Sequence, residues 1–258
     1  MTAVPVLETI GLGAAWESRP SRQVLRSVDL RLAERSVTAL LGPTGAGKST
    51  LLRCWNRTHE MHRGAAVTGR VLLDGQDVYG PGVEVTTVRR RVALVTSPPA
   101  PFRGRSIREN VLTAFRFPGA PPLAARADDD VEKALRLVGL WDDVHHRLDA
   151  LPMGLSRGQQ QLLCVARALA LGPRMLLLDE PFAALDPEAI ARLEEVIERI
   201  RGHLTVVLVP STVQQAGRVC THAALLLGGR LVEFGVTGSM FPSPTQRETE
   251  DYLTGKFG

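Results

Sequence analysis

The stretch "GPTGAGKST", Gly42–Thr50, matches the pattern G-x-x-x-x-G-K-[ST] in full. Its flanks decide how it is read. The apolar "VTALL" before it has the texture of a strand, and "LLRCW" after it has the texture of a helix. A glycine-rich turn between a strand and a helix is the context in which this pattern cradles phosphate. Gly45 and Gly47 let backbone N–H groups curl round phosphate oxygens with no Cβ in the way. Lys48 brings a cation to the β- and γ-phosphates, and the Ser49 hydroxyl is placed to ligate Mg²⁺. The helix N-terminus adds its own positive end. Gly42, Pro43, Thr44, Ala46 and Thr50 complete the loop. The segment predicts a nucleoside triphosphate site.

A second stretch, "RMLLLDEP" (Arg174–Pro181), puts two acids at the end of an apolar strand. Asp179 is expected to hold Mg²⁺ through water, as the strand-borne aspartate does in nucleotide hydrolases. Glu180 follows it and suits the base for an attacking water.

Working outward, short β-branched and leucine runs alternate with helix-period segments. "SVTALLG" precedes the segment from Lys48, "RMLLLDE" the segment from Pro187, and "LTVVLV" the segment from Thr212. That alternation predicts parallel βαβ units. The helix from Pro187 is well marked: Asp186 caps it, Pro187 suits its first turn, and Ile190, Leu193, Ile197 and Ile200 share a face before Gly202. "VTGRVLLDGQDV", turning at Asp74-Gly75, reads as antiparallel. From about residue 101 to 158 the texture changes. "FPGAPPLAARADDD" (Phe117–Asp130) is no strand, whereas Val131, Ala134, Leu135 and Val138 recur at helical spacing. A mostly helical insertion is expected there.

The 258 residues suffice for one large α/β domain with a sizeable buried interior. A net charge of +4 rests on 28 arginines against three lysines, Lys48, Lys133 and Lys256. The basic residues are scattered, with Arg89–Arg91 the single run of three, so a nucleic-acid groove is not expected. Cys54, Cys164 and Cys220 lie far apart in apolar contexts, without metal-ligand spacing. No signal peptide is read at "MTAVPVLETIGLG", and the longest apolar runs are strand-sized. A soluble chain is expected, with any membrane role acting through a partner.

"LSRGQQQLLCVARALA", from Leu155, lies between the two phosphate-site motifs, and "AALD", Ala183–Asp186, follows the second. The first resembles the signature segment of ABC ATP-binding subunits, and the second resembles their D-loop. "LLRCWNRTHEM", "VTGRVLLDGQDVY", "PFRGRSIRENV" and the tail "TEDYLTGKFG" are similar to the phosphate-import type of that family. The resemblance covers the chain end to end. It implies a P-loop NTPase fold with an α/β core of RecA type, an antiparallel β subdomain and an inserted helical subdomain. The single ABC domain would span 1–258, with the core and β subdomain at about 1–100 and 159–258 and the helical part at 101–158.

The same resemblance implies binding of ATP and Mg²⁺, and a head-to-tail dimer with a second ATP-binding subunit. It also implies membrane permease subunits as partners and a peripheral position on the cytoplasmic side of the membrane. Ser156, Gly158 and Gln159 would face the ATP held by the other subunit, Asp186 would belong to the D-loop, and Trp16 would stack on adenine.

Three positions depart from the family pattern. Ser97 stands where the Q-loop glutamine belongs, Arg157 replaces the first signature glycine, and Ser211 replaces the switch histidine. Ser97 and Ser211 are thus shortened versions of catalytic parts, beside a retained Glu180. Two readings stay open from sequence. One is an importer ATPase that couples hydrolysis to transport. The other is a degenerate, poorly hydrolysing regulatory or mixed-dimer subunit.

Overall fold

The apolar runs singled out above become strands of one sheet buried on both faces. The computed structural model describes residues 5–16, 23–116 and 127–256. The six-stranded sheet is built from β3 (Val37–Leu41), β6 (Val92–Thr96), β7 (Met175–Asp179), β8 (Thr205–Leu208), β9 (His222–Leu227) and β10 (Arg230–Val236). Its order is β10-β9-β3-β8-β7-β6, parallel except where β10 returns on β9. Parallel neighbours need crossovers, and the predicted helices supply them. They are α1 (Lys48–Trp55) after β3, α7 (Pro187–Ile200) after β7 and α8 (Val213–Val219) after β8.

Two apolar cores share this sheet, one per face. Along β7, Leu176 and Leu178 enter the first core while Met175 and Leu177 enter the second. Val206 and Leu208 of β8 likewise oppose Val207. Such strands read as unbroken apolar runs because neither face meets water. Each fully buried leucine contributes about 1.5–3 kcal/mol. Period-two alternation also aims the last residue of β7: Asp179, two beyond Leu177, belongs on the α1 face.

The second core lies under α1 and a four-stranded antiparallel sheet. This sheet comprises β1 (Leu7–Trp16), β2 (Gln23–Leu32), β4 (Ala65–Leu73) and β5 (Gln76–Asp77), ordered β2-β1-β4-β5. Asp74 and Gly75, with φ of 48° and 81°, form the predicted β4–β5 turn, and both signs suit a two-residue hairpin. α2 (Val85–Arg91) leads into β6. Its arginine run is engaged within the chain, Arg89 donating to the Arg57 carbonyl and Arg91 to Asp74.

Between β6 and β7 the described chain is helical: α3 (Ile107–Leu112), α4 (Ala127–Leu137), α5 (Trp141–Val144) and α6 (Arg157–Ala170). Ile107 and Val111 of α3, Val131 and Leu135 of α4, and Leu162 and Leu163 of α6 join the first core. Of the proline-rich stretch read as non-strand, residues 117–126 lie outside the described part. α6 begins on a capping box, with Ser156 accepting from the Gln159 amide and Gln159 accepting from the Ser156 amide. This helix runs through the expected boundary between residues 158 and 159. α7 starts as read: Asp186 accepts from the Ala189 amide at 2.9 Å, and Pro187 opens the helix. Two short helices, α9 (Thr237–Met240) and α10 (Arg247–Leu253), close the chain against β10. Among the described residues, no helix is long and apolar enough to cross a membrane.

Candidate functional site

The loop after β3 takes a path suited to glycine at three points, the first being Gly42, with φ of 139°, where a Cβ would strike the Leu226 carbonyl. Gly45 and Gly47 have φ of 83° and 104°, and a Cβ on Gly47 would lie 2.8 Å from Leu25 Cδ2. No side chain caps α1, so the first-turn amides of Lys48, Ser49 and Thr50 remain for a ligand. These three residues line a cleft of about 540 Å³ with Thr44, Gly45 and Glu180. Lys48 Nζ donates to the carbonyls of Gly42 at 2.7 Å and Pro43 at 2.9 Å, and Pro43 O also accepts from Ala46 N. Burial holds the Lys48 pKa below its ordinary value, while Glu180 and Asp179 pull it back up. The ammonium is therefore under-solvated, which suits it to a polyanion.

At the carboxyl end of β7, Asp179 Oδ1 accepts from Ser49 Oγ at 2.9 Å. Asp179 is only 6% exposed, and burial pushes its carboxyl pKa up against the opposing pull of Ser49, Arg53 and Lys48. Two hard oxygen donors, one an under-solvated carboxylate, fit Mg²⁺. Glu180 sits beside them on strained backbone, its φ of 52° being unusual for a residue with a Cβ. It lines the large cleft and also a second one of about 290 Å³, shared with Gly42, Thr44, Lys48 and Ser211.

The other expected site residues do not all converge there. Ser211 lines the smaller cleft beside Val209 and Pro210, and its amide donates to Gln215 Oε1 at 3.1 Å. Ser97 lines neither cleft; its amide donates to the Asp179 carbonyl at 3.2 Å, extending the β6–β7 pairing. Ser156, Gly158 and Gln159 stand together at the start of α6, away from both clefts. Gln159 Nε2 donates to Asp143, and Asp186 is taken up by its cap. The backbone of Trp16 ends β1 opposite Ala65, and its indole lies outside the described part.

The sequence does not place Gln23, Val24, Arg26 and Gly228 on the large cleft, or Tyr252 on the small one. The first four are brought in by a joint between the sheets. Arg26 N donates to the Gly229 carbonyl at 2.8 Å, and Gly229 N donates to the Ala46 carbonyl at 3.1 Å. No local pattern announces such docking.

A phosphate-cradling loop, a buried acid on a parallel strand, an antiparallel sheet and a helical arm carrying a capped signature segment together define an ABC-type ATP-binding protein. The profile of the ABC transporter family matches residues 25–183. The chain is 47% identical over 236 residues to "Phosphate import ATP-binding protein PstB 1" of Vibrio parahaemolyticus, covering 92% of this chain and 86% of that protein. It is 46% identical, with the same coverage, to the protein of that name from Vibrio cholerae. A bacterial Atm1-family ABC exporter solved with ATP bound superimposes with a TM-score of 0.79 at 23% identity. That match covers 100% of this chain and 43% of the longer exporter chain, and it shows the fold. The chain belongs to the ABC transporter family, among its phosphate import ATP-binding proteins, and is an ABC-type ATPase.

Proposed function

We propose that this chain is the ATP-binding subunit of an importer for inorganic phosphate. It binds Mg-ATP, pairs head to tail with a second ATP-binding subunit, and drives membrane permease subunits from the cytoplasmic face. One observation carries the reading: Lys48, Ser49 and Glu180 line one cleft, with Asp179 behind them accepting from Ser49, in a chain 47% identical to a phosphate import ATP-binding protein.

The roles follow from the chemistry of each group. The first-turn amides of α1 and the Lys48 ammonium bind the β- and γ-phosphates. Ser49 and Asp179 would hold Mg²⁺, which would supply positive charge against that building on the phosphate oxygens. Glu180 accepts the proton of the water that attacks the γ-phosphorus as the bond to the bridging oxygen breaks, giving ADP and phosphate. Ser156, Gly158 and Gln159 present the α6 N-terminus to the ATP of the opposite subunit, Asp186 orders the loop behind it, and Trp16 covers the adenine.

A second reading is favoured by the placement of the two serines. Ser97 lies off both clefts and the Ser211 amide is committed to Gln215. Losing one preorganised donor to developing phosphate charge typically costs about 10²–10³ in rate. On this view the subunit closes on ATP and turns over slowly, alone or paired with an intact partner. Phosphate release by the purified protein, alongside Glu180→Gln, separates the two. Turnover abolished by the substitution supports the ATPase reading; wild-type release no faster than the variant's supports the slow subunit. Co-purification with permease subunits tests the importer assignment.

A further inference from the structure

The tail "TEDYLTGKFG" lies far in sequence from the phosphate loop, yet its tyrosine reaches the smaller cleft. The approach is firmly built. Glu233 Oε1 accepts from the Thr245 amide at 2.8 Å and hydroxyl at 2.9 Å, and its Oε2 accepts from the Gln246 amide at 3.1 Å. Those bonds fix the start of α10, Thr249 within it is fully buried, and Tyr252 and Leu253 pack on the first core. Tyr252 thereby lines a cleft whose other walls carry Lys48, Glu180, Thr44 and the Pro210-Ser211 turn.

That turn is poor in donors. Pro210 has no N–H, the Ser211 N–H is given to Gln215, and the Ser211 side chain is short. We propose that Tyr252 is the residue that recognises the γ-phosphate on this side, its phenolic O–H donating to a terminal phosphate oxygen where Ser211 falls short. The proposal rests on the reading that this cleft takes ATP with its γ-phosphate beside Lys48. The small cleft shares Thr44, Lys48 and Glu180 with the large one but not Gln23, Val24, Arg26 and Gly228. A contact made to the γ-phosphate alone acts on ATP and leaves ADP untouched.

Calorimetry with Mg²⁺ and either AMP-PNP or ADP tests this. Tyr252→Phe removes the hydroxyl alone, and AMP-PNP affinity is expected to fall about tenfold, as for a lost hydrogen bond to a charged group. ADP affinity is expected to stay unchanged, and Tyr252→His, which keeps a ring donor, to hold more of the AMP-PNP affinity than Phe does. Equal losses for both nucleotides, or no loss for either, overturn the proposal. If Tyr252→Phe melts below wild type, the histidine variant decides: retained preference for AMP-PNP supports the role, and loss of it overturns the role. A wild-type protein that binds neither nucleotide overturns the ATP-cleft reading itself, and Tyr252's part with it.

Discussion

Ser49 Oγ donates to Asp179 Oδ1 at 2.9 Å, joining the first turn of α1 to the end of β7 across 130 positions of sequence. Asp179 is 6% exposed, with Glu180 adding like charge. In metal-free protein this carboxylate is a cost, because its charge is desolvated without full compensation. Asp179→Asn is expected to raise the melting temperature of the nucleotide-free protein by about 2–4 °C, the shift for about 1 kcal/mol in a chain of this size. The same variant should lose the tightening of ATP binding by Mg²⁺. Scanning calorimetry and a Mg²⁺ titration check the two halves, and a destabilised variant sinks the argument.

Lys48 is held by two loop carbonyls at 2.7 and 2.9 Å while it waits for phosphate. Lys48→Ala removes the cation nearest the β- and γ-phosphates, so Mg-ATP affinity is expected to drop at least about tenfold. The melting temperature is expected to fall only modestly, because Pro43 is exposed while the carbonyl of buried Gly42 loses one donor, a cost of about 1–3 kcal/mol. Unchanged affinity by calorimetry would remove the loop from the site.

The glycine that begins the signature helix is there for packing as well as for any ligand. A Cβ on Gly158 would overlap the Ala189 Cβ of α7, with no flexible atom to yield. Gly158→Ala is expected to destabilise the protein by about 1–3 kcal/mol, the range for overpacking a tight contact. Adding Ala189→Gly should recover much of that loss. Urea denaturation of the two single variants and the double variant tests it; strictly additive losses would show that the two helices do not meet there.

Glu233 gives a pH signature to the C-terminal anchor. Burial acts to raise its pKa, but the Thr249 hydroxyl beside it, together with the bonds from the Thr245 amide and hydroxyl and the Gln246 amide, outweighs burial and holds it below the usual carboxylate value. A depressed folded pKa contributes stability that is complete above the unfolded value, about 4.3. That contribution is lost as pH falls through the folded value. Glu233→Gln should therefore melt lower than wild type at pH 7, with the two curves converging on acidification. A difference that stays constant with pH would contradict the ionised anchor.

Restoring the family's missing groups, Ser97→Gln with Ser211→His, is expected to raise turnover by about 10–100-fold, below the full worth of the contacts because geometry is imperfect. Pro210→Thr belongs in the same variant, since proline restrains the turn that aims the imidazole. Single restorations should recover less than the pair, because water, metal and γ-phosphate are held as one unit. Phosphate-release kinetics decide. Wild-type turnover equal to the restored variant's would show that the site has other means.

The loop from Gly42 and the Asp179-Glu180 pair were legible because each lies within one strand and its following turn, where side-chain period and glycine placement are local. The capped starts of α6 and α7 were legible in part for the same reason, Asp186 and Pro187 announcing theirs. Gln23, Val24, Arg26 and Gly228 were not, because they reach the cleft only when β2 docks on the β9–β10 turn. Tyr252 was noticed as part of a motif, yet its place depends on Glu233 fixing the start of a helix 13 residues downstream. Ser97 shows the converse: its position in a motif was plain, and its absence from the lining of both clefts is a property of how β6 and β7 end.

Gly229 donates to the phosphate loop and accepts from β2 with a single residue, and a Cβ on it would strike the Val24 carbonyl. One part of the wall of the large cleft, at Gly228, is therefore set by the two-residue hairpin between β9 and β10. Changes in that hairpin would reshape that part of the wall while the charged floor stays as it is. Nucleotide preference and exchange rate are in this way separable by inheritance from the chemistry of cleavage.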